Sequence, residues 1–168
     1  MSKTRSTALS SALQPPRGAA SPAFLLAQVG GHAAAVFAER LRALELVPAD
    51  AGILRIVQAT EGISQQALGV ELGVPPSRLV ALIDDLEERG LVERRDQPSD
   101  RRSYALYLTS KGGEVLKRIA LVAREHQRAL CAALTDEERD QLAALLKRIA
   151  DEQGLRPGVH PGFSRLAR

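Results

Sequence analysis

Four arginines, Arg94, Arg95, Arg101 and Arg102, stand within nine residues in the stretch Arg94-Arg95-Asp96-Gln97-Pro98-Ser99-Asp100-Arg101-Arg102. A guanidinium offers a planar fork of donors that matches phosphate oxygens or a pair of acceptors on a base edge. Arginines crowded into one short segment therefore suit a polyanion better than a catalytic task. A second polar group, Ser77-Arg78, follows Pro75-Pro76, and the apolar neighbours Leu79 and Leu82 turn Arg78 outwards. Other chemistry is poorly provided for. Cys131 is the single cysteine, and the three histidines, His32, His126 and His160, lie far apart, so neither C-x-x-C nor H-E-x-x-H spacing occurs. No Gly-rich phosphate loop and no nucleophile–base set is present. No metal, no cofactor and no enzymatic activity is expected.

The elements that position these side chains can be read from periodicity. Residues 1–21, rich in Ser, Ala, Pro and Gly and carrying Lys3, Arg5 and Arg17, read as a flexible basic arm. Phe24, Leu25, Val29, Ala33, Val36, Phe37, Leu41 and Leu44 recur at helical spacing and predict a first helix over 22–46. Pro48 opens a second helix that ends at Glu61-Gly62. Ser64 caps a short third helix that Gly73 stops, and Pro76 starts a fourth that ends at Gly90. The period then changes. Leu91 to Arg95 and Tyr104 to Leu108 read as two strands of a hairpin, with its turn at Asp96 to Asp100. Ser110 is expected to cap a long fifth helix through about Ala133. Thr135-x-x-Glu138 is a capping box for a sixth helix that runs to about Gln153. Residues 154–168 are expected to be an irregular basic tail.

Helix, short helix, Gly-containing turn, helix and hairpin is the order of a winged helix-turn-helix. The expected class is mainly α with a small β-hairpin wing: a winged helix-turn-helix over 48–111, flanked by long N- and C-terminal dimerisation helices, 22–46 and 110–153. In such a unit the third helix braces the fourth, whose first turn enters a major groove about 12 Å wide. Ser64, Pro76, Ser77, Arg78 and Ala81 are the helical DNA-contact candidates. Arg94, Arg95, Asp100, Arg101 and Arg102 are those of the wing, which can lie along the backbone or enter the minor groove.

Net charge does not carry this argument. The chain is +3 overall, but the two tails hold six of its 23 Lys and Arg and none of its acids, leaving 17 against 20 Asp and Glu. The body is therefore net negative, and local placement decides. No apolar run reaches the roughly 20 residues of a membrane-spanning helix, and the N-terminus lacks a signal-peptide core. No membrane association and a cytoplasmic location are expected.

The segment Asp100-Arg101-Arg102-Ser103-Tyr104-Ala105-Leu106-Tyr107-Leu108-Thr109-Ser110-Lys111-Gly112 matches the wing signature D-x-R-x-x-x-x-x-L-T-x-x-G of the MarR family of transcription regulators. Leu86-Glu87-Glu88-Arg89-Gly90-Leu91-Val92-Glu93-Arg94 is similar to that family's link from recognition helix to wing. The resemblance covers roughly residues 22–152, forming one MarR-like domain over 22–153. It implies a homodimer in which the first, fifth and sixth helices interlock and two recognition helices address a pseudo-palindromic operator in duplex DNA. It further implies Arg102 as the minor-groove arginine and Asp100 as the carboxylate that holds wing arginines. The family's usual mechanism implies a repressor released by a small anionic or phenolic effector bound near the first helix, with His32 as a candidate contact.

This chain departs from the family pattern in its recognition helix, which has Pro75 at the cap, Val80 and Ala81 where polar readers are common, and Asp85 where a base is common. Affinity is therefore expected to lean on the wing, on Ser77 and Arg78, and on apolar contacts to thymine methyl groups. Two other functional readings compete. The acidic fourth helix fits a winged-helix module that binds proteins rather than DNA. Cys131 could serve a thiol-based redox sensor, although a small packed thiol is the simpler account.

Overall fold

The computed structural model describes residues 21–97 and 100–159, with the backbone alone described at 97 and 100–103. Of the arm over 1–21 and the tail over 154–168 named above, residues 1–20 and 160–168 lie outside the described residues. The chain divides into a short unit ending at Ala33 and a larger one from Ala34. The elements run α1 (Pro22–Arg42), α2 (Pro48–Ala59), β1 (Ile63–Ser64), α3 (Gln65–Leu72), α4 (Pro76–Glu88), β2 (Val92–Gln97), β3 (Asp100–Leu108), α5 (Ser110–Leu130) and α6 (Asp136–Glu152). No described helix is long and apolar enough to cross a membrane.

The expected elements are present, with shifted ends. α1 stops at Arg42 rather than near Leu46. Pro48 disfavours helical geometry at Val47, and Glu45 takes a left-handed φ of 57°, which lets Leu46 fold back into the core. The fifth-helix cap is Thr109, not Ser110: its Oγ1 accepts from the Gly112 amide at 3.0 Å. That helix ends at Leu130, three residues early, because the chain must reset before the Thr135 cap. At α6 both halves of the capping box form, with Glu138 N to Thr135 Oγ1 at 3.2 Å and Thr135 N to Glu138 Oε2 at 2.9 Å.

The sheet has three strands in the order β1-β3-β2, all antiparallel. β1, only two residues long, has no period a sequence can display. It pairs Ile63 with Leu106 and Ser64 with Ala105. The hairpin strands run closer to their tip than expected, with Gln97 opposite Asp100 and an irregularity between Asp96 and Gln97. Beneath the sheet, Leu41, Ile53, Leu54, Val57, Leu68, Leu79, Ile83, Leu86 and Leu106 form a core shared by the end of α1, α2, α3, α4 and β3. Each fully buried aliphatic side chain contributes about 1.5–3 kcal/mol relative to exposure. The core therefore fixes α4 against α3 and the sheet. α6, by contrast, has no buried residue and leaves Leu142, Leu145, Leu146 and Ile149 exposed. In the first unit Phe24, Leu25, Leu26 and Val29 of α1 are likewise exposed.

Candidate nucleic-acid interface

The corner between α3 and α4 is built on two glycines. Gly73, with φ 67°, is the left-handed cap of α3, and Val74 N returns to Gly69 O at 3.1 Å. Gly69 leaves room for the neighbouring helix: a Cβ there would stand 3.3 Å from Leu79 Cδ2. Ser64 Oγ accepts from Ala67 N at 3.1 Å, so this hydroxyl is engaged as the helix cap. Pro75 caps α4 without a side-chain bond and Pro76 occupies its first position. Pro76, Ser77, Arg78 and Ala81 are exposed along the leading part of α4. The structure thus brings four of the helical candidates together on the leading part of α4, while Ser64, half-buried, caps α3.

The wing arginines divide. Arg94 is only 16% exposed, and its guanidinium bonds Asp84 at 2.5 Å, Glu87, and Gln65 at 3.4 Å. Its backbone amide also donates to Glu87 Oε1 at 3.1 Å. Burial opposes the Arg94 charge, but the bonds to Asp84 and Glu87 outweigh it and raise its pKa. Arg94 therefore ties β2 to α4 and α3. The acidic face of α4 finds an internal use in the same contacts: Asp84 and Glu87 hold Arg94, and Asp85 bonds Arg89 at 3.0 Å. Arg95 is exposed, stacks over the Tyr107 ring at 4.2 Å and pairs with Glu93. The side chains of Asp100, Arg101 and Arg102 lie outside the described residues, while their backbone belongs to β3.

Two junctions that sequence reasoning passed over hold the reading head. At the first, Thr109 Oγ1 donates to Gly90 O at 2.7 Å, Thr109 N donates to Leu91 O at 3.2 Å, and Lys111 Nζ donates to Arg89 O at 2.7 Å. A Cβ on Gly112 would come within 1.9 Å of the Leu91 carbonyl oxygen, so only glycine fits. The L-T-x-x-G stretch is thus a latch between the start of α5 and the α4–β2 corner. At the second, Asp50 is 4% exposed. It accepts from Val47 N at 3.0 Å and Arg89 Nη1 at 3.4 Å, while Arg89 Nη2 donates to Glu45 O at 2.7 Å. Burial raises the Asp50 pKa, and the Val47 amide and Arg89 offset this only in part. An Asp three residues after a pre-proline position was the available signal.

His32 is exposed on α1. Cys131 is partly buried at the end of α5, and the His126 ring lies 5.4 Å from that of Phe37. A separate, mainly apolar cavity of about 640 Å³ is lined by Phe37, Ala51, Leu116, Ile119 and Val159, with Arg55 as its one charged lining residue.

A helical trio with a glycine-closed corner, followed by a two-stranded wing latched to its recognition helix, is a winged helix-turn-helix. The MarR family model matches residues 44–103, which run from the α1–α2 connection into β3, and over them the chain is similar to that family. It is 39% identical over 98 residues to a transcriptional regulatory protein named for the hcr operon of Thauera aromatica, a match spanning 58% of this chain and 59% of that protein. To the transcriptional repressor MprA of Escherichia coli it is 33% identical over 55% of this chain and 52% of that one. The chain thus spans little more than half the length of these relatives. A MarR variant from Escherichia coli, solved in complex with operator DNA, superposes with TM-score 0.66 at 26% identity, covering 76% of this chain and 91% of that one.

Proposed function

We propose that this protein is a sequence-specific transcription regulator that binds a pseudo-palindromic DNA operator as a homodimer and represses by covering it. The observation that carries this reading is the latch at Thr109 and Gly112, which fixes the base of an arginine-bearing wing to the end of α4, the helix whose start is exposed. A helix tip and a loop of guanidinium groups held at fixed separation fit one major groove and its flanking minor groove. The apolar residues left exposed on α6 fit pairing with a second copy, and the likeness to a MarR variant solved with operator DNA supports the DNA-binding part of the reading. Ser77, Arg78, Ala81, Arg95, Arg101 and Arg102 are the direct contacts. Pro76 shapes the helix start, Ser64 caps its brace, Asp100 steadies the tip, and Arg94 positions the wing from behind. A DNA-bound role places the protein in the cytoplasm and outside enzyme chemistry.

The cavity beside Arg55 suits a small effector with an apolar ring and an anionic or phenolic group, since one cation faces an otherwise apolar wall. His32, on α1 in the first unit, is not among the residues that line this cavity. The protein-binding alternative loses its motive, because three of the four acids it rested on are paired with Arg89 and Arg94 within the chain.

The test is Arg102→Ala, titrated against DNA from upstream of the protein's own gene at several salt concentrations. The expected result is weaker binding with a salt slope shallower by about 1 per subunit. Unchanged affinity and slope would remove Arg102 from the interface.

A further inference from the structure

The chain continues past α6 and returns to the reading head. Gly154, with φ 63°, turns it, and residues 155–159 form a strap held at two points. Arg55 Nη2 donates to Gly158 O at 2.8 Å, and Val159 packs against the core. At the other point, Arg156 Nη1 donates to the carbonyls of Val70, and of Glu71 at 3.2 Å, at the end of α3. Its guanidinium lies against Gly73, where a Cβ would meet Nη1 at 2.8 Å and Cζ at 3.0 Å. Among the described residues, Nε and Nη2 of Arg156 have no hydrogen-bond partner, and the residue is exposed.

This arginine sits in a cleft of about 590 Å³ whose wall includes Gln65, Gln66, Gly73, Pro75 and Pro76, and it carries the only formal charge among the lining residues. Those neighbours stand at the start of α3 and at the corner that leads from its end into the start of α4. In a helix-turn-helix that region meets DNA, because the first helix crosses the backbone while the second enters the groove. α3 itself has no basic residue and α4 has only Arg78. The helix-turn-helix is therefore short of the cations that a phosphate backbone requires.

We propose that the strap supplies one: Arg156, anchored on α3 by Nη1, presents its remaining donors to a backbone phosphate lying across the cleft. The proposal rests on the DNA-binding reading above and adds to it a contact from outside the winged helix. Arg55, which ties down Gly158, is its positioning residue.

The full-length protein, Arg156→Ala and Arg156→Lys are titrated against the same upstream duplex across a salt series, with thermal unfolding of each measured in parallel. The expected slope of log affinity against log salt is about 1.8 shallower for the alanine variant, one lost phosphate contact in each of two subunits. The lysine variant keeps the wild-type slope because it keeps the charge. Arg55→Ala is expected to weaken binding in the same direction as Arg156→Ala. If Arg156→Ala melts earlier yet keeps the wild-type slope, Arg156 is only a cap for α3 and the proposal is overturned. If the unmodified protein itself shows no salt-dependent binding, the DNA-binding reading falls too, so the two failures are told apart.

Discussion

The Gly112 side chain is a single hydrogen because the Leu91 carbonyl occupies the space beside it. Gly112→Ala would have to push backbone away from backbone at 1.9 Å, so a loss of about 1–3 kcal/mol or more is expected in urea unfolding. Gly113 next to it has open space, and Gly113→Ala should be neutral or slightly stabilising, since alanine favours helix by about 1 kcal/mol. Asp50 gives a prediction in pH. Its folded pKa lies above the unfolded value, so the folded state holds the proton more tightly. The stability this linkage contributes is complete below the ordinary aspartate value of 3.8 and is lost as pH rises through the raised pKa. Asparagine has no such titration. The melting temperature of the wild type relative to Asp50→Asn should therefore fall as pH rises across that window, and a constant difference would show that Asp50 is not shifted.

At the level of elements, the wing is a lever whose base is fixed by Arg94 and by the Thr109 latch. Arg94→Ala should cost about 1 kcal/mol of stability, a modest figure because Asp84 and Glu87 are partly solvated, and should weaken DNA binding by freeing the wing. Arg95→Ala should weaken binding while leaving the melting temperature unchanged. Reversal of that pattern, with Arg95 the stabiliser, would invert the assignment. The sequence displayed the helices because apolar residues recur along them, and it displayed the caps at Ser64 and Thr135 because local bonds need local residues. It could not separate Arg94 from Arg95. Adjacent strand residues face opposite ways, and which side meets α4 depends on register set by Leu106 and Leu108 far along the chain. Arg89, Asp50 and Glu45 were equally hidden, being 39 and 44 residues apart in pairs that only the fold joins. The strap was read as an irregular basic tail, since nothing in Leu155-Arg156-Pro157-Gly158-Val159 announces its distant partners.

For the whole molecule, the proposed function rests on symmetry. α6 buries nothing within the chain, and its row of Leu142, Leu145, Leu146 and Ile149 is apolar surface suited to a second copy. Pairing would hold two reading heads at the roughly 34 Å that separates successive major grooves. In the proposed reading, an effector in the Arg55 cavity regulates binding by changing that separation. The most direct measurement is selection of duplexes by the full-length protein from a random library, followed by sequencing of the bound pool. Two coupled heads predict an inverted repeat whose half-site centres lie about 10–10.5 base pairs apart. A pool that stays random, or that converges on one unrepeated half-site, would contradict the account.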